Sequence, residues 1–282
     1  MKNKFEIKEP MILIDYLINI LNKSRKKAKS LLTNKAIYIN GKNITKYNYP
    51  LFPGNILEIK EYSNNKLDLD IIYEDKYIIV VNKRSGLLTV STENENEKTL
   101  YHQVSDYVKL KNKNARIFVI HRLDRDTSGI VLFAKNQEFK YLLQGSWNEI
   151  VRVRKYDAIV HGCLKSDGHI ENYLTENKEH IVYSSKTGKK AITDFKVVKS
   201  KDEFSYIEVY LSTGRKNQIR VHMSVIHHPI FGDYKYGARV DGAKRMCLHA
   251  YKLAFYQPRT HEALSFETPF PSYFTNLVRN LR

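Results

Sequence analysis

An aspartate that lies among arginines is the clearest candidate for a reactive group in this sequence. Asp124 lies between Arg122 and Arg125, after the apolar residues 117–120 and before the apolar residues 130–133. A nearby cation favours the ionised form of an aspartate, and an ionised aspartate can act as a nucleophile or a base but not as an acid. The alternative interpretation is an ordinary turn between two strands, with salt bridges that carry no chemistry.

A second segment whose residues could bind a ligand or take part in a reaction lies almost a hundred residues further along the chain. Residues 212–222 combine a glycine, the cations Arg215, Lys216 and Arg220, and the start of a predicted helix at Gln218. Backbone N–H groups at a helix start and nearby cations together favour phosphate or carboxylate binding. On the residues alone, a basic surface loop is an equally good interpretation.

A tyrosine on a predicted strand is the third candidate. Residues 155–161 alternate in the way that indicates a strand, and this pattern alone makes Tyr156 an ordinary half-buried aromatic. A phenol can also stack on a nucleobase while its hydroxyl reaches a polar atom. Tyr156 is therefore a candidate for base contact.

These three segments together resemble the RluA-type pseudouridine synthases. Residues 121–129 match the family motif HRLDxxTSG, residues 214–222 match GRxxQIRxH, and the strand with Tyr156, which ends at Gly162, matches the KxY-type strand. Residues 80–87 resemble VNKPxGL, with Arg84 in place of the proline. Motifs in residues 228–237, 248–250 and 269–271 follow the family order, so the resemblance covers nearly all of residues 68–282.

The resemblance implies a role for each matched residue. Asp124 corresponds to the catalytic nucleophile, and Arg220 to the arginine that pairs with it. Tyr156 would stack on the target base and assist removal of the carbon 5 proton, and Arg122 would enter the RNA stack when the uridine swings out. We also predict RNA contacts for Arg215 and Gln218.

One departure from the family pattern falls inside the second segment. Many relatives carry Thr-His where this chain has Lys216 and Asn217. We interpret the pair as variation outside the residue that contacts the aspartate.

The charge of the chain indicates a polyanionic partner. Lys and Arg number 47 against 30 Asp and Glu in 282 residues, which gives a net charge of +17. An anionic membrane surface would fit the charge too, but the longest apolar stretch near the N-terminus, residues 11–21, contains Asp15 and is shorter than a membrane span. We predict a cytoplasmic protein without a signal peptide. Cys163 and Cys247 support neither a disulfide framework nor a cysteine-rich zinc site.

The N-terminal part is predicted to be a separate basic unit. Residues 21–66 hold ten Lys or Arg and two acids, Glu58 and Glu61. An apolar helix over residues 11–21, a second helix capped by Ser24 and a hairpin at residues 40–41 resemble the S4-like RNA-binding domain that often precedes the catalytic domain of this family. We predict that the second helix contacts RNA through Arg25, Lys26 and Lys29. A solvated basic helix in another small α+β unit is the alternative.

The remaining chain is predicted to be an α+β domain with a mixed, largely antiparallel sheet, the pseudouridine synthase fold that the resemblance implies. We place the domains at residues 1–66, S4-like domain and linker, and residues 67–282, catalytic domain. Predicted strands are residues 71–73, 77–82, 116–120, 130–134, 152–160 and 205–211, and predicted helices are residues 100–110, 137–147, 218–225 and 272–279.

The expected function is that of an RNA pseudouridine synthase, a monomer that needs no metal and no organic cofactor. Large-subunit ribosomal RNA is the first expected target and tRNA the second. Two alternatives from other classes remain at this stage. A metal-dependent nuclease could use His121, Asp124 and Asp126 as ligands, and a non-catalytic RNA-binding or ribosome-assembly factor could share the fold.

Overall fold

A computed structural model describes residues 4–33, 36–59, 69–91, 99–240 and 242–279. The chain divides into two compact units, Met1–Asp68 and Leu69–Arg282. The predicted boundary between residues 66 and 67 and the predicted linker, residues 61–68, lie outside the described residues.

The first unit is a small α+β domain with its own core. Its elements are β1 (Lys4–Glu6), β2 (Met11–Ile12), α1 (Leu13–Asp15), a π-helical turn (Tyr16–Ile20), α2 (Arg25–Thr33), β3 (Ile37–Ile39), β4 (Lys42–Asn43), β5 (Pro50–Leu51) and β6 (Ile56–Ile59). The four-stranded sheet has the order β1, β6, β3, β4, and β2 pairs with β5. A cluster of apolar side chains that includes Leu13, Leu17, Ala28 and Leu57 fills the interior.

Local signals in the sequence account for most of this unit. The Ser24 hydroxyl accepts a hydrogen bond from the Lys27 N–H at 3.3 Å, as expected of the cap of α2. Asn40 and Gly41 have φ of 47° and 78° and join β3 to β4 in the predicted hairpin. The predicted helix over residues 11–21 is wrong in part, because Met11 and Ile12 pair as a strand with residues 50–51.

The second unit is built on one large sheet. Its elements are β7 (Asp70–Glu74), β8 (Ile78–Lys83), α3 (Leu100–Lys111), β9 (Phe118–Val119), β10 (Ser128–Ala134), α4 (Gln137–Gly145), α5 (Trp147–Ile150), β11 (Val151–His161), β12 (Gly168–Glu176), β13 (Val182–Ser185), β14 (Lys189–Lys201), β15 (Phe204–Leu211), α6 (Gln218–Val225), a 3-10 turn (Tyr234–Tyr236), β16 (Leu248–Tyr256), β17 (Ala263–Glu267) and α7 (Ser272–Arg279).

The sheet has eleven strands in the main order β13, β12, β14, β15, β11, β16, β10, β8, β7. In addition, β17 pairs with β16 and β9 pairs with β10. The pairing of β10 with β16 is parallel, through Ser128 with His249 and Gly129 with Ala250, and the other pairings are antiparallel. The predicted mixed, largely antiparallel sheet is confirmed.

Helices cover β10 on both of its faces. Leu100, Val104 and Val108 of α3 pack in a cluster with Val131 and Phe133. Phe139 and Leu143 of α4 belong to the opposite cluster with Ile130 and Leu132. All seven residues of β10 are therefore buried. Among the described residues, no helix is long and apolar enough to cross a membrane.

Candidate active site

Asp124 lies in the loop between β9 and β10, at the wall of a cavity of about 980 Å³. Its side chain is 31% exposed, so the carboxylate is open on one side. The cavity lies at the upper end of the ~300–1,000 Å³ range of pockets that bury a drug-sized molecule, which leaves room for more than one small ligand group.

The end of β8 and the segment after it hold the Asp124 loop in place. The buried ammonium of Lys83 donates hydrogen bonds to the carbonyls of Arg84, Leu87 and Arg125, at 2.9, 2.7 and 2.9 Å. The Thr89 hydroxyl donates to the Leu123 carbonyl at 2.8 Å and accepts from the Leu123 N–H at 3.2 Å. These contacts fix the backbone on both sides of Asp124. Burial lowers the pKa of Lys83 to about 7, although the charges of Asp126 and Asp124 oppose the shift.

Arg220 reaches Asp124 from helix α6. Its Nη1 lies 3.3 Å from Asp124 Oδ2, while Nε and Nη2 each donate a 2.7 Å hydrogen bond to the buried carboxylate of Asp233. Burial alone would lower the pKa of Arg220, but pairing with Asp233 and Asp124 outweighs it and raises the pKa. The sequence predicted the contact with Asp124 and missed the tighter one with Asp233.

Asn217 also contacts Asp124. In the orientation that its hydrogen-bond network favours, the amide nitrogen donates to Asp124 Oδ2 at 2.8 Å and lies 3.2 Å from Oδ1. The interpretation of this position as variation away from the aspartate is therefore wrong for Asn217. Lys216 points elsewhere and binds the carboxylate of Glu176.

Tyr156 lies on β11 and lines the same cavity as Asp124. Its ring packs against the cluster that includes Leu123 and Ala250. Burial raises the pKa of Tyr156 to about 12; the positive charge of Arg154 opposes this shift and the negative charge of Asp124 adds to it. The neutral phenol therefore dominates at neutral pH, which suits stacking and makes the phenolate a scarce base.

Arg215 and Gln218 occupy the cavity wall in different ways. Arg215 is exposed, and its Nε donates to the Lys190 carbonyl at 2.8 Å. Gln218 is 2% exposed, and its amide oxygen accepts hydrogen bonds from the Thr213 hydroxyl and the Arg215 N–H. Its amide nitrogen donates to the Ile192 carbonyl and the Thr193 hydroxyl. These contacts make Gln218 a support of the Arg215 loop at the cavity wall, and its predicted contact with RNA stays a prediction.

Arg122 is exposed and lines the cavity near Asp124. The other three predicted RNA-binding residues, Arg25, Lys26 and Lys29, lie in the first unit on the exposed face of α2, opposite the buried side chains of Ala28 and Leu32.

Arg154 and Trp147 line the cavity and were not predicted as site residues. Arg154 of β11 donates to the Ser212 carbonyl at 2.8 Å, and burial lowers its pKa. Trp147, at the start of α5, lines the cavity with its ring centroid 5.5 Å from that of His121. Arg154 is one of several charged residues that alternate along β11, so its type did not mark it as a site residue. Trp147 is the last residue of a predicted helix, and nothing in the pattern of that helix indicated a function.

The described part of the chain contains no group of three or more His, Cys, Asp or Glu placed to hold a metal ion. His121 is turned inward, and its Nε2 accepts a hydrogen bond from the Leu132 N–H at 3.3 Å. Burial, with a smaller effect of the Arg154 charge, lowers the pKa of His121 to about 4. His121, Asp124 and Asp126 therefore do not form the ligand group that the nuclease alternative requires.

The chain is similar in sequence to known proteins over most of its length. Residues 77–225 match the model of the RNA pseudouridylate synthase family. An uncharacterized RNA pseudouridine synthase of Bacillus subtilis is 32% identical over 254 residues, which cover 86% of this chain and 89% of that protein. The ribosomal large subunit pseudouridine synthase D of Vibrio cholerae is 30% identical over 282 residues, covering 92% and 87% of the two chains.

A solved structure resembles the chain as well. The human RNA pseudouridylate synthase domain containing 1 protein aligns with a TM-score of 0.60 and 25% identity, over 76% of this chain and 94% of the human chain.

Proposed function

This chain belongs to the RNA pseudouridylate synthase family, and from that membership we propose that Asp124 is the carboxylate with which it isomerises uridine in RNA. The chain is thus an isomerase with an RNA substrate, as the resemblance of its motifs implied. The roles of individual residues, the identity of the RNA and the function of the first unit are proposals.

The reaction exchanges one bond for another within the nucleotide. The bond between N1 of uracil and C1′ of ribose breaks, the uracil turns, and a bond forms between C5 and C1′. The hydrogen leaves C5 as a proton and N1 gains a proton, so atoms and electrons balance without an oxidant. A base cannot react in this way while it is stacked, and its extrusion costs a few kcal/mol.

The observation that carries the assignment is the half-open carboxylate of Asp124 inside the cavity. Arg220 and Asn217 hold it from one side, and its exposed side faces the space that a nucleoside would occupy. The contacts with Arg220 and Asn217 fix the orientation of the carboxylate, as a nucleophile or an anionic partner of the ribose requires. We propose that the neutral phenol of Tyr156 stacks on the uracil and that Arg122 occupies the gap in the RNA stack.

The test is the Asp124→Asn variant, which nearly preserves volume and removes the charge. Turnover is followed by release of tritium from RNA labelled at carbon 5 of uridine, prepared from cells that lack the gene. We expect tritium release to vanish and RNA affinity to persist. Asp126→Asn is the matched control on the same loop and should keep normal turnover. Release near the normal rate in Asp124→Asn would overturn the assignment, and RNA binding without release by the unmodified chain would support the assembly-factor alternative.

Large-subunit ribosomal RNA is the target we propose, with tRNA second. The name of the Vibrio cholerae relative supports the first choice, since the match extends over most of both chains. Mapping pseudouridine in total RNA with and without the gene tests it. Sites that disappear only from tRNA would overturn the proposed order.

We propose that the first unit is an S4-like domain that binds RNA through α2. Support comes from the exposed Arg25, Lys26 and Lys29 on a helix whose opposite face is buried. A monomeric state and a cytoplasmic location also remain predictions, for which molar mass in solution and cell fractionation are the direct measurements.

A further inference from the structure

The amide of Asn217 lies between two residues that determine its orientation. The Tyr236 hydroxyl accepts a hydrogen bond from the Val182 N–H at 3.2 Å, so its own proton is available for the Asn217 oxygen at 2.8 Å. The amide nitrogen then faces Asp124, with 2.8 Å to Oδ2 and 3.2 Å to Oδ1. The opposite orientation would set the amide oxygen against a carboxylate, with only acceptors facing each other.

The backbone of Asn217 is unusual for its position. It precedes helix α6 as the N-cap residue, with φ of 53° and ψ of 20° in the left-handed region. Asparagine is among the best N-cap residues because its side chain can accept hydrogen bonds from the first turn, yet Asn217 makes no such bond. Its side chain is directed to Asp124 instead, and a left-handed non-glycine residue beside a candidate catalytic group suggests a functional constraint.

Asn217 is closer to Asp124 than Arg220 is. The Arg220 contact is 3.3 Å, longer than the 2.7–2.9 Å usual for a charge-assisted hydrogen bond, because the two short bonds of the guanidinium go to Asp233. The Asn217 amide nitrogen approaches both carboxylate oxygens, whereas Arg220 reaches one of them. The shorter hydrogen bond to the carboxylate therefore comes from Asn217.

We propose that Asn217 is a positioning residue for Asp124, and that the hydroxyl of Tyr236 sets the orientation of the Asn217 amide. This inference rests on the proposed role of Asp124. The Asn217 amide fixes the rotation of the carboxylate in the cavity by its hydrogen bond, and Arg220 supplies the positive charge.

Other groups near Asp124 have partners of their own. Among the described residues, Arg220 on α6, Tyr156 on β11 and Lys83 at the end of β8 interact with its charge. Lys83 uses its ammonium on three backbone carbonyls. Tyr236 is 8% exposed, and the Arg220 guanidinium lies 4.9 Å from its ring centroid, so one tyrosine contacts both donors to Asp124.

Two substitutions of Asn217 keep its backbone conformation and change its chemistry. Asn217→Gly removes the amide at a residue where glycine is unstrained. Asn217→Asp keeps the shape and replaces the donor by a negative charge. Asp202→Gly is the matched control, because Asp202 also has a positive φ, 50°, in the turn between β14 and β15.

The readout is tritium release from uridine-labelled RNA, with kcat and KM separated. We expect Asn217→Gly to lower kcat about tenfold or more with KM nearly constant, since one preorganised donor is lost. Asn217→Asp should lower kcat further, because it sets a second carboxylate against Asp124 in place of the donor. Asp202→Gly should leave kcat and KM unchanged.

Tyr236→Phe tests the second half of the inference without altering Asn217 itself. The variant should show a smaller fall in kcat than Asn217→Gly, again with KM nearly constant. A normal kcat in both Asn217 variants, with normal turnover by the unmodified chain, would overturn the positioning role alone. A lack of turnover by the unmodified chain would instead overturn the proposed function of Asp124.

Discussion

The guanidinium of Arg220 is held by the buried carboxylate of Asp233 through two hydrogen bonds of 2.7 Å. The side chain of Asp233 is 1% exposed, so this bidentate pair is almost free of solvent. It fixes the plane of the guanidinium and leaves Nη1 as the nitrogen that reaches Asp124. Asp233 thus acts on the candidate catalytic carboxylate without contacting it.

We predict that Asp233→Asn lowers both stability and turnover. The substitution leaves a buried arginine without its main partner, which costs about 3–5 kcal/mol in comparable cases. The loss of orientation should lower kcat at least tenfold, measured with the tritium assay at a temperature where the variant is folded. Asp157→Asn is the control, because Asp157 is another buried carboxylate whose hydrogen-bond partner is the Tyr206 hydroxyl. Equal kcat in the two variants would contradict the prediction.

We predict that His249 makes stability fall on acidification. Burial, with a smaller effect of the Arg245 charge, lowers its pKa from 6.5 to about 4. Its Nε2 faces the Thr268 hydroxyl, which donates to the Tyr251 carbonyl, and its Nδ1 faces Ser128, which accepts from Arg245. The buried ring is thus suited to the neutral form.

The direction of this pH effect follows from the pH at which His249 gains a proton in the unfolded and in the folded chain. The unfolded histidine gains a proton as the pH falls through 6.5 and the folded one only near 4, so the unfolded state gains stability in this window, by up to about 3 kcal/mol. The free energy of unfolding in urea at pH 7 and pH 5 should fall less in His249→Gln than in the unmodified chain. Equal decreases would show that His249 does not contribute.

We predict that exchange of Arg25, Lys26 and Lys29 for glutamine weakens RNA binding in a salt-dependent way. Each lost phosphate contact on single-stranded RNA reduces the slope of log K against log salt by about 0.7, so three contacts give about 2. Exchange of the exposed Lys76, Lys109 and Lys113 alters the net charge equally and should change the slope less. Equal slopes in the two triple variants would argue against a specific role of α2.

We predict that Gly129→Ala destabilises the second unit. Gly129 has φ of 113°, and a Cβ there would lie 2.2 Å from the Ala250 carbonyl oxygen and 2.6 Å from its nitrogen. Both atoms belong to the backbone of β16, so neither can move away cheaply, and we expect a loss of about 3 kcal/mol or more. Gly242→Ala has a positive φ of 75° with open space around the new Cβ, and should cost about 1 kcal/mol. Thermal unfolding of both variants distinguishes the effect of packing from that of backbone conformation.

The sequence predicted the groups that lie on short, well-marked motifs. Asp124, Arg220 and Tyr156 come from distant segments and all line one cavity, as their motifs implied. Strands β12, β13 and β14 were not predicted, because their exposed edge carries many charged residues and the apolar alternation is weak. β16 and β17 were missed as well, and β9 is shorter than the predicted strand over residues 116–120.

The supporting residues of the site could not be predicted in the same way. Asp233 and Tyr236 belong to a turn whose match to the family order indicated only the fold. Asn217 stands at a departure from the family pattern, and only the direction of its side chain reveals the contact with Asp124. Such contacts depend on rotamers and on left-handed backbone conformations, which residue types alone do not specify.

The burial of β10 bears on which molecule, the protein or the RNA, changes conformation during recognition. Asp124 is four residues from a strand that is buried throughout and covered by helices on both faces, and amides in such a strand open only when most of the domain unfolds. Slow amide hydrogen exchange of residues 130–133, unchanged on RNA binding, is the expected signature. We therefore expect the carboxylate to keep its position, and the RNA to undergo the rearrangement that brings the uridine to it.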